Sequence, residues 1–228
     1  MYQGFPRRSV AFLKQLKANN NKEWFEAHRD DYEALFVAPA MDLIVALAPI
    51  AEQLDPPHHA IPKLNKSLRR IHRDTRFSKD KTPYHTHMHI VLWTGDHPNR
   101  SAGIHLVLSD SHFGFGSGHW AFDGDGLARF RAAVQDETLR AELDTALAKA
   151  ETVGCVPGEP ELKRVPRDFD ADSPASEYLR RKGIVARTDE SSDFDERLFG
   201  NGATGFLTEI LEALAPLDRW IYQHVERA

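Results

Sequence analysis

The chain has 228 residues, of which 41% are hydrophobic and 28% charged, as is typical of a soluble globular protein with one sizeable core. A net charge of −5 disfavours general nucleic-acid binding, and a single cysteine, Cys155, excludes an internal disulfide framework and a multi-cysteine zinc site. No uninterrupted apolar run reaches the ~18 residues of a membrane helix, and the first residues lack signal-peptide order. We therefore expect a cytoplasmic protein with no membrane partner.

Helical patterns fill the first part of the chain, residues 7–54. Apolar residues recur at helical spacing over residues 7–18. Asn20, with a glutamate three residues later, predicts the start of a second helix through a capping box. Pro39 can occupy the first turn of a third helix that runs to about Leu54.

The middle of the chain, residues 66–122, changes to the alternating, β-branched and aromatic pattern of strands. Strands are predicted at residues 67–72, 87–93, 102–109 and 112–122. Short connections between them favour an antiparallel sheet. Glycines at every second position of the last strand leave one face without side chains, with room for a packed helix or a ligand. These are Gly114, Gly116 and Gly118.

Residues 125–226 return to helical patterns, ending in an amphipathic helix that Pro216 is predicted to interrupt or kink. Residues 184–190 predict an edge strand. No repeat, low-complexity segment or linker divides the chain. We therefore predict a single α+β domain over residues 1–228, with N-terminal and C-terminal helices packed on a mainly antiparallel sheet formed by the middle of the chain.

Positive charge is concentrated in residues 63–81, where eight lysines and arginines and two aspartates give a net charge of +6 and leave −11 for the rest of the chain. Such a focus suits a small anion better than a long polyanion. Guanidinium forks bind phosphate or carboxylate bidentately, and ammonium groups add point charge. We predict an anion site in the basic loop, residues 69–87, formed by Arg69, Arg73, Arg76, Lys79 and Lys81.

A second interpretation of the basic loop is structural. Asp74 and Asp80 can pair with its arginines and hold an ordered turn without any ligand, and surface pairs of this kind are common. Buried, paired arginines and ligand-binding arginines look the same in a sequence, so both interpretations stand.

Three histidines alternate at the end of the basic loop: His85, His87 and His89. In a strand they share one face, and the His-x-His spacing suits a metal ion, which makes a metal-dependent enzyme one alternative. We favour His87 as a general acid or base beside the basic loop, with the Tyr84 hydroxyl at the rim. Trp93 and Trp120 are predicted to wall the pocket. The sequence does not identify a cofactor.

Three segments, "GFPRRSVAFLKQLKANNNKEWFEAHRDDY", "RRIHRDTRFSKDKTPYHTH" and "LKRVPRDFDADSPASEYLRRKGIVAR", resemble, in the same order, blocks of one bacterial and fungal family. It is the domain-of-unknown-function family 2461 of conserved hypothetical proteins. The resemblance implies a single-domain soluble protein of about this size and no particular reaction. In that family position 85 is more often lysine and position 89 lies outside the block, which weakens the metal alternative and leaves His87 with the basic loop.

The sequence therefore favours an enzyme or enzyme-like protein that binds a small phosphate- or carboxylate-bearing molecule through the basic loop. The alternatives are an interaction module that docks an acidic partner through the same loop, and a metal-dependent enzyme that uses the alternating histidines. We expect no nucleic-acid partner, because the rest of the chain is acidic.

Overall fold

The computed structural model describes residues 2–189 and 194–227. It opens with the helices α1 (Arg7–Ala18), α2 (Lys22–Ala27) and α3 (Arg29–Gln53). Helix α2 is capped by Asn21, whose side-chain oxygen accepts a hydrogen bond from the Trp24 N–H at 2.9 Å.

The predicted cap, Asn20, lies one residue earlier and has a different role. Its side chain donates a hydrogen bond to the Tyr84 carbonyl at 2.9 Å and accepts one from the Tyr84 N–H at 3.1 Å. Asn20 therefore connects the first helices to the end of the basic loop, a long-range contact that local spacing could not indicate.

Within α3, the α-helical segment Ala38–Gln53 has Pro39 in its first turn, as the sequence predicted, although the helical backbone extends back to Arg29. A π-helical turn, Glu33–Val37, precedes the proline, which cannot donate the usual helical hydrogen bond. By length and composition alone, α3 is long and apolar enough to cross a membrane, although it contains no uninterrupted apolar run of that length. In this fold one side of the helix is buried in the core through Phe36, Leu43 and Leu47.

A five-stranded antiparallel sheet follows, as the sequence predicted, and the fold class is α+β. The strand order is β1-β2-β3-β5-β4. The strands are β1 (Met88–Trp93), β2 (Gly103–Leu108), β3 (Phe113–His119), β4 (Val156–Pro157) and β5 (Ile184–Arg187). Because side chains alternate along each strand, the sheet has an inner face buried against helices and an outer face.

Two predicted strands differ from the structure. Residues 67–72 form no strand; they follow β1 through separate backbone hydrogen bonds. The Ser67 hydroxyl there accepts the Ile61 N–H at 2.9 Å, a local bond that competes with a regular ladder. The strand predicted at residues 184–190 is β5, which is not at the sheet edge, because the short β4 pairs along its outer side. Residue 190 lies outside the described residues.

The remaining helices surround the inner face of the sheet. They are α4 (Gly124–Gln135), α5 (Glu137–Glu151), α6 (Ser176–Leu179) and α7 (Ala203–Ile221). Helix α7 runs through Pro216, so the predicted interruption at that residue is wrong, and it packs on β2 and β3 with most of its residues buried.

A buried polar cluster ties α7 to the sheet. Asp218 on α7 accepts a hydrogen bond from the Ser117 hydroxyl at 2.5 Å, and its other oxygen lies 2.9 Å from Nε2 of His58. Nδ1 of His58 lies 2.8 Å from the Pro56 carbonyl. Both ring nitrogens of His58 therefore face acceptor oxygens. The cluster links α7, β3 and the segment that follows α3.

We expect Asp218→Asn to lower the free energy of unfolding by about 2 kcal/mol, because it keeps the side-chain volume but replaces an acceptor oxygen of the buried hydrogen-bond cluster by an N–H donor. Urea unfolding at neutral pH measures the change. Glu212→Gln, on an exposed position of the same helix, is the matched control and should stay within about 0.5 kcal/mol of the wild type. Equal stability of the two variants would contradict a supporting role for Asp218.

Candidate functional site

A cleft of about 370 Å³, here called the sheet cleft, opens on the outer face of the sheet. Its floor is the backbone of β3, and histidines from β1 and β2 line one side. Trp120 and Arg187 stand on the side of β3 and β5. The lining contains Gly114, Gly116, Gly118, His89, His105, His112, Trp120 and Arg187, with Val107, Phe115, Ser117 and Val185 of the strands and with Thr188 and Asp189, which follow β5.

The floor is bare because the outward positions of β3 are glycines, as the sequence predicted. Gly116 pairs with His105 on one side and with Arg187 on the other. A Cβ atom on Gly116 would lie 2.7 Å from the Arg187 Cβ. Gly118 has φ +126°, and a Cβ atom there would lie 2.1 Å from the Ile184 carbonyl oxygen. Only glycine fits at Gly116 and Gly118, because β5 approaches the backbone of β3 closely there; the glycines also leave the floor of the cleft without side chains.

The alternating histidines form a row that leads into the sheet cleft. Ring centroids are 5.2 Å apart for His85 and His87, and 6.3 Å apart for His87 and His89. The row continues onto the next strand, where the ring of His105 lies 5.0 Å from that of His89. Nε2 of His89 and Nδ1 of His105 are 2.7 Å apart, which is a hydrogen bond between the two rings.

Burial keeps the inner histidines neutral. Loss of hydration, reinforced by neighbouring histidines, lowers the pKa of His87 to about 4 and that of His89 to about 2. Loss of hydration also lowers the pKa of His105 to about 4, although the charge of Asp218 opposes the shift. At neutral pH each ring therefore has one N–H donor and one acceptor nitrogen, and the His89–His105 hydrogen bond uses one of each.

The rim of the cleft has an exposed aromatic ring next to a guanidinium group. Trp120 is 71% exposed, which is unusual for tryptophan, and Cζ of Arg187 lies 5.9 Å from its ring centroid. Within residues 2–189 and 194–227, Arg187 forms no ion pair with a carboxylate. Its guanidinium group can therefore bind an external anion.

The alternating histidines do not converge on a metal position. In the described part of the chain, no group of three or more His, Cys, Asp or Glu side chains could hold a metal ion. Neighbouring rings of the row follow one another along the chain into β1 and do not face a common point. Nε2 of His89 is already hydrogen-bonded to His105.

The cations of the basic loop are mostly engaged within the loop. Nη1 of Arg73 donates to Asp80 at 2.6 Å, and Nη2 of Arg76 donates to Asp74 at 2.7 Å. Nζ of Lys81 donates to a backbone carbonyl of the same loop at 2.8 Å. These contacts form the ordered turn of the structural interpretation.

The other two predicted anion ligands also lie away from the sheet cleft. Nη2 of Arg69 donates to the Pro98 carbonyl at 2.7 Å, and Lys79 is exposed on the loop. Among the described lining residues of the cleft there is no cation of the basic loop. The loop does adjoin the outer end of the histidine row, since the charge of Arg73 contributes to lowering the pKa of His85. Anion binding at the loop itself stays a prediction.

The three aromatic residues predicted for the site have different positions. Tyr84 lies in the core rather than at a rim, with its ring 4.1 Å from that of Phe25 and nearly parallel to it. Trp93 is buried at the end of β1, so it forms no exposed wall. Trp120 does line the cleft.

Ser117, His58 and Asp218 share hydrogen bonds without forming a nucleophilic triad. A triad requires the histidine between the hydroxyl and the carboxylate, whereas here the carboxylate lies between the serine and the histidine. All three side chains are buried on the inner side of the sheet. The cluster is therefore structural.

Sequence reasoning missed the roles of Arg187 and Asp218 and the pairing of His105 with His89. The alternation of β2 places His105 on one strand face, but its pairing with His89 depends on the register of two strands. Arg187 ends the third resembling segment, which is a weak signal. Asp218 is one acidic residue in a helical pattern and has no distinguishing local feature.

Comparison with known proteins gives one match. The family model described as "Conserved hypothetical protein (DUF2461)" matches residues 8–220 of the 228-residue chain, in agreement with the resemblance of its three segments. No curated protein and no solved structure matches the chain.

The neutral histidines predict acid sensitivity. Their folded-state pKa values lie below the ordinary 6.5, so the unfolded chain binds more protons, and the free energy of unfolding should fall as the pH drops from about 6.5 to about 4. Burial raises the pKa of Glu226 to about 7. This shift acts in the opposite direction, but it is one group against the three histidines His87, His89 and His105. Urea unfolding at a series of pH values measures the slope.

His105→Gln should make that slope shallower, because it removes one of the depressed groups. His97→Gln, in a loop outside the cleft, is the control and should keep the wild-type slope. A His105→Gln slope as steep as that of the wild type would mean that His105 is not held neutral in the folded protein.

Proposed function

The chain belongs to the DUF2461 family of conserved hypothetical proteins, and we propose that it binds a small anionic molecule with a flat ring in the sheet cleft. The observation that supports this proposal is the combination of Trp120, Arg187 and the His89–His105 pair around one concave space with a bare floor. Concave sites with a few convergent polar groups are where small ligands bind.

A flat ring suits the cleft for two reasons. Trp120 offers an exposed aromatic face of the kind on which planar rings stack. The glycine positions of β3 let such a ring approach the sheet backbone closely. A volume of about 370 Å³ accommodates a molecule the size of one or two rings with a short substituent.

An anionic group suits Arg187. The guanidinium fork binds carboxylate or phosphate with two parallel hydrogen bonds, and Arg187 has no carboxylate ion-pair partner among the described residues. This proposal keeps the anionic class of ligand that the sequence suggested and assigns it to the cleft rather than to the basic loop. In the basic loop, Arg73, Arg76 and Lys81 already have partners.

Proton transfer suits the histidine pair, which supports an enzyme or enzyme-like role. When one ring accepts a proton on its free nitrogen, the proton of the His89–His105 hydrogen bond can shift to the other ring, whose far nitrogen then releases one. Neutral imidazoles relay protons in this way without a net change in their own charge. His87, next in the row, extends the same path toward the basic loop.

The proposal predicts ligand stabilisation that depends on the cleft. In a thermal-shift screen of aromatic carboxylates, nucleotides and sugar phosphates, a ligand at 100 times its Kd stabilises the fold by about 2.7 kcal/mol. We expect Arg187→Gln to weaken binding of any hit at least roughly tenfold, because a charge-assisted hydrogen bond is lost. Trp120→Ala should weaken it by a similar factor.

Two controls locate the site. Arg8→Gln, an exposed arginine of α1, should leave binding unchanged. Arg73→Ala should lower the melting temperature by loosening the basic loop but keep the affinity for the ligand. If Arg73→Ala abolishes binding in the folded protein while Arg187→Gln retains it, the anion site lies at the basic loop and the cleft proposal is wrong.

A further inference from the structure

The segment of residues 61–81, here called the basic edge, runs along the outer side of β1. Its backbone is attached there by hydrogen bonds from the Arg69 N–H to the His89 carbonyl at 2.9 Å and from the Val91 N–H to the Ser67 carbonyl at 2.8 Å. The basic edge therefore covers one border of the sheet, away from the helices that bury the inner face.

Exposed apolar side chains are concentrated in this segment. Phe77 is 95% exposed, Leu64 38% and Ile61 37%. Among the described residues, only three other large hydrophobic side chains are more exposed than Ile61. They are Val45, Trp120 and Val156, which are spread over the rest of the chain. Large apolar side chains held in water along one surface segment mark a contact with another molecule.

Phe77 is presented by an ordered turn. The contacts between Arg73 and Asp80, between Arg76 and Asp74, and from Lys81 to the loop backbone close the turn below it. A disordered loop could fold an apolar ring back onto the protein, but this turn holds the ring in water. The order of the turn thus lowers the entropy cost of inserting the ring into a partner.

The same segment carries the positive charge of the chain. Lysines and arginines follow the apolar side chains along the basic edge, with a net charge of +6 over residues 63–81 against −11 elsewhere. Several of these cations are exposed: Lys63, Lys66, Arg70, Arg76 and Lys79. An anionic surface therefore attracts this edge and repels the remainder, which fixes the orientation of approach.

We propose that the basic edge binds the surface of an anionic lipid membrane, with Phe77 inserted among the headgroups and the cations in contact with them. Lysine and arginine next to aromatic and aliphatic side chains are the composition of interfacial lipid-binding segments. Ile61 and Leu64 favour a lipid surface over single-stranded nucleic acid, because aliphatic side chains offer no face on which bases stack.

This proposal departs from the expectation of no membrane partner, which rested on the lack of a spanning apolar run. The protein rests on the surface, and no part of it has to cross the bilayer. It is also independent of the sheet cleft, since the cleft's lining and the basic edge share no residue among those described.

Sedimentation with phosphatidylcholine vesicles, with or without added phosphatidylserine, tests the proposal. The wild type should bind only the vesicles that contain phosphatidylserine, and binding should fall as salt is added. Phe77→Ser should weaken binding roughly tenfold, because an inserted apolar ring is lost. Val45→Ser, at a position 58% exposed outside the basic edge, is the matched control and should bind as the wild type does.

Charge is tested separately. Lys79→Glu should weaken vesicle binding at least about fivefold. Lys14→Glu, an equal change of charge at an exposed position of α1, should have little effect. Melting temperatures of all variants establish that they are folded. Arg187→Gln should leave vesicle binding unchanged, which separates this inference from the function proposed for the cleft.

Three outcomes would overturn the inference: no binding to phosphatidylserine vesicles, equal losses in Phe77→Ser and Val45→Ser, or tighter binding to a single-stranded oligonucleotide than to vesicles. The last outcome would instead make the basic edge a nucleic-acid surface.

Discussion

The carboxylate of Asp218 is the contact on which the arrangement of this protein depends. It is buried between His58 and Ser117, so helix α7 is attached at one point to both the strand β3 and the segment after α3. A carboxylate in the core is costly unless every oxygen has a partner, and here both oxygens have one. Because Ser117 points inward to meet Asp218, its neighbours Gly116 and Gly118 must point outward. The buried contact and the bare floor of the cleft are therefore two faces of one strand.

The outer face gains its chemistry from that geometry. Glycines at these positions let β5 approach β3 closely and leave the floor of the cleft without side chains between the histidines and Arg187. Partial burial then removes the charge from His89 and His105 and leaves Arg187 as the cation of the cleft. A neutral hydrogen-bonding pair beside one guanidinium group and an exposed tryptophan is an arrangement for binding and proton exchange, and it supports the function proposed above.

The basic loop shows how one set of charges can serve two purposes. Two of its arginines, Arg73 and Arg76, are paired with its own aspartates, which orders the turn and reduces their capacity to enclose a small anion. The same order holds Phe77 in solvent, next to cations that remain exposed. The sheet cleft and the basic edge thus lie on different parts of the molecule, and the histidine row joins them.

The sequence by itself determined the features that depend on local spacing. Hydrophobic periodicity placed α1, the strands β1 to β3 and the α+β class correctly, and alternation placed three glycines on one strand face and three histidines on another. The tertiary structure decided which residues meet across the chain, because strand register and helix packing bring together residues far apart in sequence. His89 meets His105, and Arg187 meets Trp120. Asp218 becomes central only because α7 folds onto β3, a contact that is not encoded in any short pattern around it.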